Sequence, residues 1–289
     1  MRYTLERGGL TLTVSSLGAE VQSLTAFGRD WIWEGDPQVW GRHAPLCFPW
    51  CGRVKDGWFT ADGKRFEAGA HGFARELEHV LTGRTEDSLS FRLESDSATL
   101  ARYPFPFRLD TVHRLEENTL RTTCTVTNTG GGVLPFQIGF HFAFALPLAP
   151  GQATDDHRVV FDGSQQAREV KVAPPGLVAG EEPRFTGAAE VTLDDHLFDN
   201  DSICLTGLTT RTFRLECAAG PALEVETGDF PYVLLWSKPG PMRFLCIEPW
   251  TGLPDRADTD HDFFKRPALT LLQPGESRSV THVVRLLSR

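Results

Sequence analysis

The chain has 289 residues, with 38 acidic against 29 basic side chains and a formal net charge of −9. This charge argues against a nucleic-acid partner, because no basic cluster offsets the unfavourable field. The N-terminus has no basic segment followed by an apolar one, and no run of about 18 apolar residues occurs. We therefore expect a cytoplasmic protein that is neither secreted nor inserted in a membrane.

Short runs of alternating apolar and polar residues dominate the chain and predict half-buried antiparallel strands. No window of about 12 residues carries a helical apolar period, so the predicted class is all-β. The chain is too long for an immunoglobulin-type sandwich, which favours two large twisted sheets packed face to face. In chain order, the strand patterns cover residues 10–15, 88–93, 119–127, 212–217, 222–227 and 279–286.

Turn residues such as Asp62-Gly63 separate the predicted strands. The stretch 173–183 is rich in proline and glycine, and strands of the same character follow it. We interpret it as a surface loop, so that residues 1–289 form a single domain.

The six cysteines lack the density and regular spacing of a disulfide scaffold and are interpreted as reduced thiols. Cys47 and Cys51 have the spacing of a metal-binding pair. No second Cys/His pair follows at zinc-site spacing, so a zinc site is only the alternative reading.

Two segments place charged side chains among glycines and aromatic residues, where neither a turn nor core packing requires a charge. Arg53 ends the segment 49–53, and its guanidinium can bind sugar hydroxyls or a carboxylate. His71 lies in the segment 69–75 and can donate or accept a proton near pH 7. The structural alternatives are an arginine paired at a sheet rim and a histidine bonded to backbone.

Two further ionisable residues stand in apolar strands. Alternation over residues 137–144 places His141 between small residues, on the strand face opposite three phenylalanines. The open space beside its ring suits a ligand, with a core histidine as the alternative. Glu248 ends the apolar run 244–248, where burial is costly unless the carboxylate is paired or functional. Desolvation would raise its pKa toward that of an effective general base.

Taken together, these segments resemble the aldose 1-epimerase (mutarotase) family, and within it the LacX-like subgroup. The resemblance extends from about Gly8 to the final strand, and its motifs occur in the family's order and approximate spacing. They are residues 48–59, 71–75, 139–141 and 246–252.

This resemblance implies a β-supersandwich of the galactose mutarotase type with an open sugar-binding cleft. It implies catalysis without a metal or an organic cofactor, on a free hexose such as galactose or glucose. By motif position, Glu248 would be the general base that takes the proton of the anomeric hydroxyl, and His141 the general acid that protonates the ring oxygen.

The resemblance also implies three substrate-binding residues. His71 would bind and polarise the sugar near its ring oxygen, and Arg53 would hold hydroxyls. The family also uses a carboxylate that follows a Leu-Phe pair. Here that carboxylate would be Asp201, with Asp199 as the competing assignment. One departure concerns the position after the second histidine, where many relatives have proline and this chain has Phe142.

Three other functions remain as alternatives. A hexose-6-phosphate 1-epimerase is opposed by the acidic pI, although Arg42, Lys55 and Arg75 lie in or near the motifs. The second is a non-catalytic carbohydrate-binding protein that stacks sugars on Trp31, Trp33, Trp50, Trp236 or Trp250. The third is a 2-His-1-carboxylate metal site formed by His71, His141 and Glu248. The oligomeric state, monomer or homodimer, is not encoded in any pattern that we identify.

Overall fold

The computed structural model describes residues 1–173, 176–218, 220, 222–228 and 230–288. Within these ranges the chain is built almost entirely from strands, which confirms the all-β prediction. In chain order they are β1 (Arg2–Arg7), β2 (Leu10–Ser15), β3 (Val21–Ala26), β4 (Arg29–Asp30), β5 (Leu46–Cys47), β6 (Trp58–Ala61), β7 (Lys64–Glu67), β8 (Val80–Arg84), β9 (Ser88–Glu94), β10 (Phe107–Glu116), β11 (Thr119–Asn128), β12 (Leu134–Phe136), β13 (Gly139–Phe140), β14 (Phe142–Ala145), β15 (His157–Phe161), β16 (Arg168–Ala173), β17 (Leu177–Pro183), β18 (Glu190–Thr192), β19 (Ile203–Thr206), β20 (Thr212–Cys217), β21 (Ala222–Glu226), β22 (Tyr232–Trp236), β23 (Phe244–Trp250), β24 (Thr270–Leu272) and β25 (Ser277–Leu287).

The helical segments in the described ranges are short. None of them is long and apolar enough to span a bilayer. They are α1 (Ser97–Leu100) and 3-10 turns at Lys55–Gly57, Ala74–Glu76, Thr154–Asp156 and Phe263–Lys265.

Two large antiparallel sheets organise the molecule, as the sequence predicts. One has nine strands in the order β18-β15-β20-β21-β25-β11-β10-β9-β8. The other has eight, in the order β17-β16-β19-β22-β23-β13-β5 with β14 also paired to β23. A four-stranded sheet, β1 to β4, and two two-stranded sheets, β6-β7 and β12-β24, lie outside the two large sheets, and of their strands only β2 is among the predicted segments.

The apolar faces of both large sheets contribute to one hydrophobic cluster. Its members include Val126 and Val280 from the nine-stranded sheet, and Leu235, Leu245 and Ile247 from the eight-stranded sheet. Burying each such side chain contributes roughly 1.5–3 kcal/mol. The core thus lies between the two sheets.

Strand β23 separates this core from a second, chemically different face. Leu245 and Ile247 point into the main cluster. Because side chains alternate along a strand, Cys246, Glu248 and Trp250 point to the other face, where Cys246 and Trp250 join two smaller apolar clusters. A buried carboxylate therefore lies on the face of the sheet away from the core.

All six predicted strand segments are confirmed to within two residues at either end, as β2, β9, β11, β20, β21 and β25. The Asp62-Gly63 turn joins β6 to β7 with φ angles of 48° and 72°, the left-handed geometry of a tight hairpin. The six cysteines are buried and form no disulfide among the described residues.

The surface-loop interpretation of residues 173–183 is wrong for most of its length. Leu177–Pro183 forms β17, which pairs with β16 at the edge of the eight-stranded sheet. Its last five residues are exposed and therefore lack the alternation that marks a half-buried strand. Residues 174 and 175 lie outside the described ranges.

Candidate active site

A cavity of about 390 Å³ opens over the face of the eight-stranded sheet that points away from the core. Loops that precede β5, follow β5 and follow β18 complete its walls. The sheet contributes Val172 from β16, Cys204 from β19, Leu234 and Trp236 from β22, and Glu248 and Trp250 from β23.

All five site residues predicted from the sequence lie around this cavity. The general-base candidate Glu248 is at its floor, 1% exposed, and His141 is beside it, 7% exposed. Glu248 Oε2 is 3.2 Å from His141 Nε2. Among the described residues, Glu248 Oε2 and His141 Nδ1 have no hydrogen-bond partner. The pair thus retains unused hydrogen-bonding capacity beside a cavity.

Burial disfavours the charged form of both groups. Desolvation raises the pKa of Glu248 well above its ordinary value, and the nearby Cys47 sulfur and Asp201 carboxylate add to the effect. Desolvation also lowers the pKa of His141 well below its ordinary value, assisted by the positive charges of neighbouring side chains. Their close contact means that the two groups titrate as a pair.

His141 is positioned between β13 and β14, where its backbone N–H donates to Pro45 O at 3.1 Å. Gly139 lies opposite Trp250 in the sheet, and a Cβ at Gly139 would come within 2.3 Å of the indole ring. The glycine allows this close approach. On the other side, Trp40 stacks on the imidazole, with ring centroids 5.0 Å apart and planes at 24°.

Phe142 points away from the cavity. It is 2% exposed and belongs to the main core cluster, where its ring lies 4.4 Å from that of His282. The residue that replaces the family's proline therefore packs in the core and does not line the cavity.

His71 faces His141 across the cavity, with ring centroids 5.4 Å apart. Its Nδ1 accepts a hydrogen bond from Gly52 N–H at 3.3 Å and lies 3.3 Å from Cys47 Sγ. An accepting Nδ1 places the proton of a neutral ring on Nε2, which is the tautomer assigned by this hydrogen-bond network. Nε2–H is then available as a donor.

Arg53 lies on a loop that a buried ion pair anchors. Asp255 and Arg266 form a salt bridge with side chains 3% and 1% exposed. Asp255 Oδ2 accepts from Lys55 N–H at 2.9 Å, and the Asp255 N–H donates to Arg53 O at 3.0 Å. The guanidinium itself lies beside Gly176, where a Cβ would be 3.0 Å from Nε of Arg53.

The two aspartates that compete in the sequence have different environments. Asp201 lines the cavity, in the left-handed region with φ 83°. Asp199 instead lies 3.0 Å from His196 Nδ1 and is not among the lining residues. Geometry therefore favours Asp201 as the cleft carboxylate.

Among the lining residues that sequence reasoning missed are Trp40 and Lys238. Both lie in loops whose approach to the cavity no local pattern encodes. Lys55 does not line the cavity, and its Nζ is directed to Thr259 O at 3.5 Å. Of the five tryptophans considered as sugar platforms, Trp31, Trp33 and Trp50 are buried and do not line the cavity, whereas Trp236 and Trp250 line it.

A potential metal-binding group in the described part of the chain is His141, Cys246 and Glu248, whose ligand atoms lie within 4.8 Å of one another. It differs from the group considered in the sequence, because Cys246 takes the place of His71. Cys47 and Cys51 do not belong to such a group.

Comparison with known proteins bears on this geometry. The sequence model of the aldose 1-epimerase family matches residues 1–284. The chromosomal LacX protein of Lactococcus lactis subsp. lactis is 29% identical over the whole of both chains.

Two solved structures share the fold. A galactose mutarotase related enzyme from Lactobacillus acidophilus has a TM-score of 0.94 and 29% identity, covering 100% of this chain and 98% of that one. A galactose mutarotase-like protein from Lactobacillus casei has a TM-score of 0.92 and 25% identity, covering 99% of this chain and 100% of that one. The predicted β-supersandwich is therefore confirmed.

Proposed function

The chain belongs to the aldose 1-epimerase family, and on that premise we propose that it is an isomerase that interconverts the α and β anomers of a hexose such as galactose or glucose. The observation that carries the proposal is the contact of 3.2 Å between Glu248 Oε2 and His141 Nε2 at the floor of the cavity. A carboxylate and an imidazole are the two groups that this reaction requires.

The reaction consists of two coupled proton transfers. Ionised Glu248 removes the proton from the anomeric hydroxyl while protonated His141 donates one to the ring oxygen. The bond between C1 and the ring oxygen breaks, and the anomeric oxygen becomes the carbonyl oxygen of an open-chain aldehyde. After rotation about the C1–C2 bond, protonated Glu248 returns its proton to the carbonyl oxygen, and neutral His141 takes back the proton of the hydroxyl that attacks C1 as the ring closes on the other face.

The environment of the pair suits a reaction that needs both of its protonation states. Burial opposes the charged pair by raising the pKa of Glu248 and lowering that of His141. Attraction between the opposite charges at 3.2 Å favours the charged pair. These opposing effects bring the two states closer in free energy, so that each proton transfer is reversible.

The other cavity residues would bind and orient the sugar. The Nε2–H of His71 would donate a hydrogen bond near the ring oxygen. Arg53 and Asp201 would hold hydroxyl groups, because a guanidinium donates and a carboxylate accepts. Fixed orientation of the reacting groups contributes to the rate in addition to acid–base catalysis.

The test is polarimetry of freshly dissolved α-glucose and α-galactose with wild-type protein and two variants, Glu248→Gln and His141→Asn. We expect the wild type to accelerate mutarotation, and each variant to lose about 10²- to 10⁴-fold in kcat while retaining the circular dichroism spectrum of the wild type. Chelation with EDTA should leave the wild-type rate unchanged.

Three results would contradict the proposal. A rate close to that of the wild type in either variant would remove the assigned acid or base. Sugar binding by a wild type that accelerates none of the sugars tested would favour the non-catalytic carbohydrate-binding alternative. Activity that EDTA abolishes and added divalent metal restores would favour a metal site at His141, Cys246 and Glu248.

A further inference from the structure

The cavity is positively charged although the chain as a whole is negative. Four cationic side chains line it, Arg42, Arg53, Arg75 and Lys238, against two carboxylates, Asp201 and Glu248. The net charge of the chain is −9, so this local excess of positive charge opposes the average composition.

Three of the four cations have no partner in the described part of the chain. Within these ranges, the side chains of Arg42, Arg53 and Lys238 make no ion pair and no hydrogen bond. Many other arginines form ion pairs, as Arg243 does with Glu34 at 2.9 Å. Acidic residues are abundant in this chain, so unpaired cations around one cavity indicate a site for an external anion.

Arg42 and Lys238 both line the cavity, each two residues from a tryptophan of one aromatic pair. Arg42 follows Trp40 by two residues, and Lys238 follows Trp236 by two residues. The rings of Trp40 and Trp236 are in edge contact, with centroids 5.5 Å apart. Both cations therefore flank the aromatic pair that packs against His141, which has centroid distances of 5.0 Å and 5.8 Å to the two rings.

The Arg42 loop is held in place without using the guanidinium. Glu20 Oε1 accepts hydrogen bonds from the backbone N–H groups of His43 and Ala44, both at 3.0 Å. Arg75 is close enough for the charge of Arg42 to help lower its pKa, after the larger effect of burial. Two like charges on a fixed scaffold repel each other, and a bound anion would relieve that repulsion.

Resting on the proposed epimerase function, we propose that the substrate of this cavity is a phosphorylated aldose, whose phosphate group is bound by Arg42 and Lys238. A phosphate monoester carries close to two negative charges at neutral pH and several acceptor oxygens. It therefore matches two unpaired cations better than a sugar that carries a single carboxylate. The sugar ring would then lie over Glu248 and His141, with Trp40 and Trp236 beside it.

The experiment compares kcat/KM for anomerisation of glucose 6-phosphate, glucuronate and glucose, followed by NMR. The variants are Arg42→Gln and Lys238→Gln, with Lys64→Gln as the matched control, because Lys64 is an exposed cation outside the cavity lining. We expect the wild type to favour glucose 6-phosphate. Each cavity variant should lose about 10- to 100-fold on that substrate and less than about threefold on glucose. The control should match the wild type.

The outcomes separate this inference from the proposed function. Equal activity on glucose and glucose 6-phosphate, unchanged in both cavity variants, would overturn the phosphate site and leave the epimerase intact. A preference for glucuronate over glucose 6-phosphate would also overturn it. If no sugar is anomerised, the epimerase proposal fails; binding of glucose 6-phosphate by calorimetry, weakened in Arg42→Gln but not in Lys64→Gln, would then still support the phosphate site.

Discussion

At the scale of single residues, Glu248 makes the clearest prediction because its carboxylate is buried and desolvated. Its pKa lies well above the ordinary value for a glutamate, and a general base acts only when ionised. In the variant His141→Asn, where Glu248 no longer titrates with an imidazole partner, residual activity should be lost as pH falls through this raised pKa. We expect the acidic limb of kcat/KM against pH in that variant to lie clearly above about 4.3. A limb at or below that value would contradict the assignment.

Asp201 allows a test of the direction in which a neighbouring charge shifts the pKa of Glu248. Its negative charge contributes to the raised pKa of Glu248, after desolvation and Cys47. Removing that charge in Asp201→Asn should move the acidic limb toward lower pH. The matched variant Asp199→Asn should not move it, because Asp199 bonds to His196 and does not line the cavity. In the wild type the limb belongs to the Glu248–His141 pair, so both aspartate variants are measured in the His141→Asn background.

The residues that the sequence identified are those whose chemistry conflicts with their surroundings. A carboxylate in an apolar strand, as at Glu248, and an imidazole between small residues, as at His141, are visible locally. Trp40 and Lys238 are ordinary in their segments and become site residues only through tertiary contacts. Asp201 could be separated from Asp199 only when the loop conformation was known.

At the scale of elements, the loop that carries Arg53 depends on the buried pair of Asp255 and Arg266. Replacing Asp255 with Asn leaves an unpaired guanidinium that is 1% exposed in the wild type. Loss of one partner of a buried pair costs about 3–5 kcal/mol. We therefore expect Asp255→Asn to lower the free energy of unfolding in urea by about that amount.

The matched control for this prediction is Asp258→Asn. Asp258 pairs with Arg256 at 2.9 Å, with side chains 72% and 58% exposed, and exposed pairs contribute little. The urea midpoint of unfolding of the Asp258→Asn variant should equal that of the wild type. Equal midpoints for Asp255→Asn and Asp258→Asn would show that the buried pair does not anchor the loop.

Strands were predictable where one face meets solvent. Strands β2 and β20 alternate between buried and partly exposed positions over most of their length, and their bounds follow from the sequence alone. Strand β17 is mostly exposed and contains a glycine, so its sequence predicts a loop. Pairing to β16, and not burial, holds this strand in place. Short strands such as β5 and β13 contain two residues each, too few to show a period.

At the scale of the whole molecule, we propose that the chain is a single cooperative domain. Supporting this, one hydrophobic cluster includes residues from Leu5 to Leu286 and draws on both large sheets. Calorimetry should then show one transition whose van't Hoff and calorimetric enthalpies agree. Two resolved transitions, or limited proteolysis that releases a stable fragment, would contradict a single domain.

The net charge of the chain does not predict the charge of the residues that line the cavity. The acidic pI argued against a phosphorylated substrate, yet the lining contains more cations than carboxylates. The cations come from segments far apart in the chain, so folding alone brings them together. Composition describes the surface as a whole, whereas substrate choice depends on the few side chains that face the ligand.

The central claim is that Glu248 and His141 open and close a sugar ring by proton transfer, and exchange NMR at anomeric equilibrium tests it most directly. With sugars labelled with ¹³C at C1, wild-type protein should produce cross-peaks between the α and β signals of at least one of glucose, galactose and their 6-phosphates. Glu248→Gln, folded by circular dichroism, should produce none above the spontaneous rate. Exchange at the wild-type rate in Glu248→Gln, or no exchange by the wild type with any of these sugars, would contradict the account.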